Sequence, residues 1–373
     1  MSRGAKQRIA IVGAGLAGAA TAYHLAGLTG PDCEVVLFER ESAAGQHSSS
    51  RNAEMVRQVV RPTAIAVLAN RGAHFCAEHG AERGGFRFRG HGSLLLGDRP
   101  SLEALAREAP EARWGGPVTA LLDRQAAALE VEFLRDMALD AALWTPSDGV
   151  VDAAGLLAYF LREARRLGAR LATQHEVLGV RRESGRVTGL RLKDSTVDVD
   201  QVVNAAGPWA GVFGARSGAH AIPFRAMRRH LFHTGPLEDI DPDGPFVWDV
   251  QHDWYLRPES GGLLLCAGDE DEVPPGIPDL NPGIAGLLHD KLSRHLPGLA
   301  DLPIARQWCG LRTFAPDRNF VIGPDPELAG YFWVAGLGGH GVTTSAAVGE
   351  LAAKAILGDG EELLTAFSPA RFS

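Results

Sequence analysis

The chain has 373 residues, of which 45% are apolar and 22% are charged, and its net charge is −8. This length predicts about two or three domains, and an acidic balance without blocks of like charge argues against nucleic acid and anionic membranes as primary partners. No apolar run is long enough to span a bilayer, and the four cysteines lie too far apart for a zinc site or a disulfide framework, so no metal is expected. The first residues lead into a strand without an apolar signal core, which predicts a cytoplasmic protein and leaves peripheral attachment to the inner membrane open.

Residues 8–26, RIAIVGAGLAGAATAYHLA, predict a buried strand, a glycine turn and a helix. In the GxGxxG spacing, Gly13 allows the tight turn, Gly15 lets a pyrophosphate approach the backbone, and Gly18 lets helix and strand pack closely. The phosphates then meet free N–H groups at the helix N-terminus. Glu39 follows the next predicted strand, where a carboxylate can accept from ribose hydroxyls. The pattern predicts dinucleotide binding, and a glycine-rich turn without a ligand is the alternative.

The middle of the chain changes character along its length. Residues 144–203 predict a loop, an amphipathic helix, a strand and a hairpin with its turn at 183–186. Residues 200–211 predict another short buried strand that ends in small residues. Residues 221–305 are richer in proline, tryptophan and polar residues, which predicts a second domain inserted between pieces of the nucleotide-binding domain.

The stretch 307–325, QWCGLRTFAPDRNFVIGPD, predicts strand, loop and strand, with Arg312 where an apolar run should continue. A guanidinium is a planar fork that matches a carboxylate. The residues alone favour a solvated arginine at a strand edge over one that binds a ligand.

Residues 331–356, YFWVAGLGGHGVTTSAAVGELAAKAI, predict a second strand, glycine turn and helix. Gly338, Gly339 and Gly341 would let a flat ring system lie against the backbone, and the helix start would face a group that becomes negative on reduction. A nicotinamide needs no such second cradle, so the pattern favours FAD over NAD. A helix start with glycines for packing alone is the alternative.

Motifs along the whole chain resemble one family. In chain order they are VGAGLAGA, LFERESAAGQHSSSRNA, DAAGLLAYFLREARRLGA, VVNAAGPWA, WYLRPESGGLLL, WCGLRTFAPD and FWVAGLGGHGVTTSAAVGE. They are similar to the FAD-dependent D-amino acid oxidase, glycine oxidase and sarcosine oxidase superfamily, and most similar to its D-amino acid (D-arginine-type) dehydrogenase branch. The resemblance implies an α/β protein. A Rossmann-like FAD-binding domain would be built from residues 1–84, 144–218 and 307–373, and an α+β substrate domain with a mixed, largely antiparallel sheet from residues 85–143 and 219–306.

The resemblance also implies which residues would hold FAD, without a covalent bond. These cofactor contacts are Gly13, Ala14, Gly15, Leu16, Ala17, Gly18, Glu39, Arg40, Gln46, His47, Ser48, Ser49, Val177, Ala206, Gly207, Gly310, Gly338, Gly339, His340, Gly341, Val342 and Thr343. Gly310 would leave room for the flavin and its ligand. In catalysis, Arg312 would clamp the substrate carboxylate over the flavin, Tyr255 would assist it, and His47 would lie near the substrate amine.

Three choices stay open at this point. One of Arg228 and Arg229 would line the pocket, and Arg51 would either offset flavin charge or be solvated. Sarcosine oxidases tether flavin at a cysteine near the place of Cys309 or at a histidine at the place of His47. A cysteine at such a place is more often a small buried core residue, which is the favoured interpretation of Cys309. That branch also uses lysines near the places of Cys266 and Thr343, and their absence argues against a sarcosine oxidase.

The implied reaction is the FAD-dependent oxidative deamination of a D-amino acid. A hydride would pass from Cα to flavin N5, and the imino acid would hydrolyse to a 2-oxo acid. A neutral or apolar side chain is expected, because residues 91–93 lack the acid that the D-arginine-type branch has there. The alternatives are an oxidase or dehydrogenase of glycine, N-alkyl or cyclic imino acids or 2-hydroxy acids, and a flavin subunit of a multi-component dehydrogenase. The electron acceptor, whether oxygen, a quinone or a partner protein, stays open.

Overall fold

The computed structural model describes residues 6–80, 85–109, 116–238 and 240–373. The α-helices in these ranges are α1 (Leu16–Thr29), α2 (Thr63–Gly80), α3 (Arg99–Arg107), α4 (Arg124–Glu130), α5 (Ala153–Arg166), α6 (Ala210–Ser217), α7 (Gly283–His295) and α8 (Gly341–Ile356). The β-strands are β1 (Gln7–Val12), β2 (Cys33–Phe38), β3 (Met55–Val56), β4 (Phe88–Arg89), β5 (Ser93–Gly97), β6 (Ala120–Leu122), β7 (Ala141–Thr145), β8 (Gly149–Val151), β9 (Arg170–Ala172), β10 (Val177–Glu183), β11 (Arg186–Leu192), β12 (Thr196–Asp198), β13 (Gln201–Asn204), β14 (Arg225–His233), β15 (Phe246–Asp249), β16 (Trp254–Glu259), β17 (Gly262–Cys266), β18 (Asp271–Glu272), β19 (Arg306–Phe314), β20 (Val321–Pro324) and β21 (Tyr331–Ala335).

The first large sheet has the strand order β20-β21-β13-β1-β2-β9. The strands from β21 to β9 run parallel, and β20 is antiparallel to β21. Ile9 and Ile11 in β1 are at most 1% exposed, as expected of central parallel strands that are covered on both faces. Because β1 and β2 are parallel neighbours, the glycine turn after β1 and Glu39 after β2 meet at the same edge of the sheet.

Helices α1 and α8 begin at that same edge, because they follow β1 and β21, which point the same way. Small residues let the two helices pack closely: a Cβ on Gly349 of α8 would come within 2.5 Å of the carbonyl carbon of Ala20 in α1. The first turns of both helices therefore face one region at the carboxyl edge of the sheet, where ligands bind in open α/β sheets. Among the described residues, no helix has both the length and the apolar composition needed to cross a bilayer.

The second large sheet has the order β18-β14-β17-β16-β15-β5-β7-β6, with β19 also paired to β14. Only the pair β5–β15 is parallel among its described strands, and the other pairs are antiparallel. β19 runs along the whole of β14, which sets Arg229 opposite Gly310. The parallel sheet and this mixed, largely antiparallel sheet confirm the predicted fold class.

Two of the predicted domain boundaries fall inside paired strands. The boundary between residues 143 and 144 divides β7, and the boundary between residues 306 and 307 divides β19. Since β19 pairs with β14, residues 307–314 belong to the second large sheet and not to the first. The assignment of the other segments to two domains stays a prediction.

Candidate active site

Two adjoining cavities lie at the carboxyl edge of the first sheet, and we call the two together the trough. Residues that line both cavities are Gly15, Ser48, Ser49, Ala205 and Gly207. We call the part lined by Glu39 the nucleotide end and the part lined by Arg312 the substrate end. The shared residues place the two parts side by side.

The glycine turn after β1 supports the nucleotide end through its backbone. Gly13 has φ +105°, a conformation that favours glycine, and a Cβ on Gly18 would lie 2.0 Å from the Gly13 carbonyl oxygen. The Ala14 N–H donates to Glu39 Oε2 at 3.0 Å, and the Leu16 N–H donates to Ser49 Oγ at 3.0 Å. Ala14 and Gly18 line neither cavity and shape the turn instead, whereas Gly13 and Glu39 line the nucleotide end.

His47 lies at the nucleotide end, together with a group of charged and aromatic side chains. Its Nε2 is 2.9 Å from Glu41 Oε1, and its ring meets the Trp209 ring edge-on with centroids 4.6 Å apart. The Arg40 guanidinium lies over the same indole, 3.7 Å from the ring centroid. The hydrogen bond from His47, helped by Arg40, lowers the pKa of Glu41.

This position argues against the predicted place of His47 near the substrate amine, which stays a prediction. His47 does not line the substrate end, whose lining includes Arg312 and Tyr255. The reason is the short turn at Ser48–Ser50, which follows His47. Ser48 and Ser49 line both cavities, at a place that we call the junction, whereas His47 lines only the nucleotide end. Its predicted contact with the cofactor stays a prediction.

The other predicted contacts in this region fall on either side of the junction. Gln46, Val177 and Ala206 line the nucleotide end, and the Gln46 side chain donates to Ser42 Oγ at 3.4 Å. The Ser48 hydroxyl donates to the Leu311 carbonyl at 2.7 Å, which ties the junction to β19.

The substrate end is closed on one side by the first turn of α8. The predicted contacts Leu16, Ala17, Gly310, Gly338, Gly339, His340, Gly341, Val342 and Thr343 all line it. The Thr343 hydroxyl donates to the Met55 carbonyl and accepts from the Arg57 N–H, both at 3.2 Å, so it fixes the segment around β3 against α8.

Three glycines of this end make room for other protein atoms. A Cβ on Gly338 would lie 2.4 Å from the Phe314 ring, and a Cβ on Gly339 would lie 3.3 Å from the Arg312 guanidinium carbon. A Cβ on Gly310 would lie 2.4 Å from the Arg51 carbonyl oxygen. This geometry argues against the predicted reason for Gly310, room for the flavin and its ligand, because the space that a side chain would take holds the Arg51 backbone.

Arg312 and Tyr255 meet at the substrate end, as the resemblance implies. Arg312 Nη2 donates to the Tyr255 hydroxyl at 3.3 Å, and Tyr255 is 1% exposed. Burial beside the Cys266 thiol raises the pKa of Tyr255 well above its usual range, so the hydroxyl keeps its proton at neutral pH. The two side chains can bind a carboxylate together, one as a cation and one as a neutral donor.

The neighbouring arginines of β14 point to opposite sides of the strand. Arg229 lines the substrate end and is paired with Glu270 Oε1 at 3.0 Å. Arg228 faces away, where it bonds Asp271 Oδ2 at 2.9 Å and the Asp279 carbonyl at 2.7 Å. The alternation of a β-strand decides the choice that the sequence left open.

Arg57 is a cavity residue that the sequence did not reveal. It lines the substrate end, and its guanidinium lies 4.0 Å from the centroid of the Trp248 ring. Burial lowers the pKa of Arg57 to about 10, with the like charge of Arg312 adding to the effect. Burial, together with Arg57 and Arg312, lowers the pKa of His340 from 6.5 to about 3. An arginine beside a two-residue strand carries no sequence signal that separates it from a solvated one.

Cys309 faces away from the trough. Its thiol donates to the Pro278 carbonyl at 3.2 Å, and the residue lines neither cavity. This orientation argues against the thioether to flavin that a related branch forms near this place.

Comparison with known proteins identifies the family. Residues 8–355 match the family described as DAO, FAD dependent oxidoreductase. The chain belongs to the DAO family. This confirms the predicted superfamily and FAD as the cofactor, whereas the D-arginine-type branch stays a prediction.

The solved structures and curated proteins that are similar to this DAO-family chain are named for different substrates and roles. L-Proline dehydrogenase from P. horikoshii superposes with a TM-score of 0.87 at 26% identity, covering 98% of each chain. Glycine oxidase from Geobacillus kaustophilus gives a TM-score of 0.78 at 25% identity, covering 99% of this chain and 98% of that one. The mitochondrial pyruvate dehydrogenase phosphatase regulatory subunit of Mus musculus is 25% identical over 94% of this chain. This chain spans only 41% of that relative's length.

The residues of the trough fit an FAD molecule. The nucleotide end combines the Gly13 turn with the Glu39 carboxylate, and the substrate end offers a glycine-lined helix start. The two ends adjoin at five shared lining residues, as a dinucleotide with a ring system requires.

Outside the trough, Asp249, His252 and His295 place possible ligand atoms within 4.8 Å of one another. The two imidazoles stack with centroids 3.9 Å apart and an angle of 29° between their planes. Nitrogen lone pairs lie in the ring planes, so in this arrangement they do not converge on one ion.

Proposed function

We propose that this DAO-family chain oxidises the carbon–nitrogen bond beside the carboxylate of a small amino or imino acid. The observation that supports this most directly is the contact between Arg312 and Tyr255 in the cavity that the first turn of α8 also lines. A planar cation and a neutral hydroxyl donor at one point are suited to a carboxylate.

We further propose that FAD occupies the trough without a covalent bond. Its adenosine part would lie at the nucleotide end against Glu39 and the Gly13 turn, and its ring system at the substrate end against the first turn of α8. Ser48 and Ser49 would lie beside the linking phosphates at the junction. Because the Cys309 thiol faces Pro278, acid precipitation is expected to leave colourless protein and free FAD in the supernatant.

Positioning is the main contribution of the chain to the chemistry. When bound, FAD supplies the two-electron oxidant that accepts a hydride from the substrate. Arg312 and Tyr255 hold the carboxylate, which restricts the rotation of the neighbouring carbon–hydrogen bond and converts a bimolecular encounter into an oriented one.

The amine must lose its proton before oxidation, and the charge of the cavity favours this loss. Removal from water lowers the pKa of an ammonium group in the cavity, and the cationic guanidinium of Arg57 acts in the same direction when a bound carboxylate engages Arg312 alone. His340 stays neutral because its pKa is lowered to about 3, so it adds no charge. The cavity thus favours a neutral amine without a general base in the position predicted for His47.

Within this class, the motifs favour a primary D-amino acid, whose imine product would hydrolyse to a 2-oxo acid. A second candidate is a secondary amine, either an N-alkyl or a cyclic imino acid. The similarity over 98% of both chains to a protein named L-proline dehydrogenase supports it. A third candidate, a flavin subunit of a larger assembly, is supported by the similarity to a protein named a regulatory subunit.

The test is flavin bleaching without air by D- and L-amino acids, N-methyl amino acids, cyclic imino acids and 2-hydroxy acids, followed by readmission of oxygen. Arg312→Gln removes two charge-assisted hydrogen bonds to the substrate carboxylate, together worth about 3–6 kcal/mol. The value of kcat/KM should therefore fall about 10²- to 10⁴-fold. Tyr255→Phe should lower kcat/KM less, and both variants should retain FAD. Arg228→Gln, from the outward face of the same sheet, is the matched control. Unchanged turnover in Arg312→Gln would refute the proposal, and a wild type that no compound bleaches would favour the subunit candidate.

A further inference from the structure

The substrate end carries more positive charge than one substrate carboxylate would neutralise. Its lining includes Arg51, Arg57, Arg229 and Arg312, and among the described residues Glu54 is the only acidic side chain that lines it. Glu54 is already engaged, because it pairs with Arg257 at 3.3 Å and accepts from the Ala153 N–H at 3.2 Å.

The four arginines differ in how their charge is balanced. Arg229 is paired with Glu270 Oε1 at 3.0 Å and lies 3.8 Å from Asp253 Oδ1. Arg51 donates to the Cys309 carbonyl at 3.4 Å. Within the described part of the chain, neither Arg57 nor Arg312 has a carboxylate within 4.0 Å. Three of the four guanidinium groups therefore have no carboxylate partner among the described residues, and Arg51 is the one of these three that donates to a backbone carbonyl instead.

The acid that acts most strongly on Arg57 is not available as a partner. Asp148 is fully buried, and its carboxylate accepts from the Ser93 hydroxyl at 2.7 Å and from the backbone and side chain of Gln58 at 3.0 and 2.9 Å. These bonds hold Asp148 in place behind the cavity wall. Arg57 instead packs over Trp248, with its guanidinium carbon 4.0 Å from the ring centroid, a contact that leaves its N–H donors without a carboxylate from the described residues.

We propose that Arg57 binds a second anionic group of the substrate, so that the preferred substrate is an amino or imino acid with two carboxylates. This inference rests on the proposed function, in which Arg312 and Tyr255 hold the first carboxylate. It reverses the expectation of a neutral or apolar side chain, which rested only on the lack of an acid at residues 91–93.

Electrostatics gives the reason for this preference. Arg57 and Arg312 repel each other in a partly buried site, and one carboxylate at Arg312 leaves Arg57 without a carboxylate in direct contact, with the more distant Asp148 and Asp253 acting on it. A dianion of matching length relieves both charges at once. A neutral side chain would leave a desolvated guanidinium without a partner, which is unfavourable.

Two other roles for Arg57 predict different results. Arg57 could share the first carboxylate with Arg312, and then its removal would weaken monocarboxylates and dicarboxylates equally. It could instead balance negative charge on the reduced flavin, and then its removal would change the flavin reduction potential without changing the preference between ligands.

The test uses inert ligands, so that binding is read without turnover. Dissociation constants of acetate, propanoate, succinate and glutarate are measured on the FAD-loaded protein from changes in the visible flavin spectrum. Wild type is expected to bind the better dicarboxylate at least about 10-fold more tightly than the matched monocarboxylate. Arg57→Gln should weaken dicarboxylate binding by about the same factor as the wild-type preference, at least about 10-fold, and change monocarboxylate binding less than about 3-fold. Arg228→Gln should leave the ratio of dissociation constants unchanged.

A parallel measurement uses amine substrates in matched pairs, D-alanine with D-aspartate and D-glutamate, and N-methylglycine with iminodiacetate. The ratio of kcat/KM values should favour the dicarboxylate in wild type and collapse in Arg57→Gln. An equal loss for both members of a pair, or an unchanged ratio with a shifted flavin potential, would overturn the assignment. Selective dicarboxylate binding without oxidation of any amine would contradict the proposed function while supporting the role of Arg57.

Discussion

The same substitution at two glycines of α1 is expected to have opposite effects. Alanine is favoured over glycine inside a helix by about 1 kcal/mol. At Gly27, which is exposed, a Cβ would meet only Leu167 Cδ1, at the ordinary contact distance of 3.7 Å. Gly27→Ala should therefore raise the free energy of unfolding by about 0.5–1 kcal/mol.

At Gly18 the added Cβ would lie 2.0 Å from the Gly13 carbonyl oxygen and 3.3 Å from the Ala205 Cβ. Because the close atom belongs to the backbone, the turn and the helix must move apart by roughly 1 Å, at a cost of about 1–3 kcal/mol or more. Both variants gain the helix preference of alanine, so they differ by the cost of the close contact. The free energy of unfolding of Gly18→Ala should therefore be about 2 kcal/mol lower than that of Gly27→Ala. With about 2.1 cal/mol/K of unfolding entropy per residue, this corresponds to roughly 2–3 °C in Tm for a chain of this length.

The movement also displaces the N–H groups of the turn, so Gly18→Ala should retain less FAD after purification. The assay is thermal unfolding of the FAD-free protein together with the FAD-to-protein ratio from absorbance. Equal Tm values and equal FAD content in the two variants would show that the close approach of α1 to the turn does not matter.

Two further predictions concern Asp148 and His47. Burial raises the pKa of Asp148 from 3.8 to about 6, so between about pH 4 and pH 6 the folded protein holds a proton that the unfolded chain has lost. This group therefore makes the free energy of unfolding fall as the pH rises through that window. Denaturant titrations at a series of pH values should show a smaller fall in Asp148→Asn than in wild type. An unchanged dependence of the free energy of unfolding on pH would refute the raised pKa. His47→Gln should weaken FAD retention but leave kcat close to wild type when FAD is in excess, because His47 lines the nucleotide end. A severe loss of kcat in FAD-saturated His47→Gln would restore the catalytic role.

Much of the fold follows from local spacing. The GxGxxG turn requires a backbone that only glycine adopts easily, and Glu39 follows at the distance set by one helix and one strand, so both are written in consecutive residues. The hairpin of β10 and β11 is similar, since its turn at Ser184 and Gly185 has positive φ at both residues. Arg312 needed the family resemblance, because its own sequence neighbourhood favours a solvated arginine.

The composition of the substrate end was decided by the tertiary structure. Arg57 comes from beside β3, Arg229 from β14, Tyr255 from β16 and Arg312 from β19, and no spacing in the chain reports that these four converge. The sequence by itself determined the nucleotide-binding turn, because a tight turn constrains adjacent residues. Only strand pairing and register determined which arginine enters the cavity and which faces away, since moving one position along a strand reverses the side of the sheet on which a side chain lies.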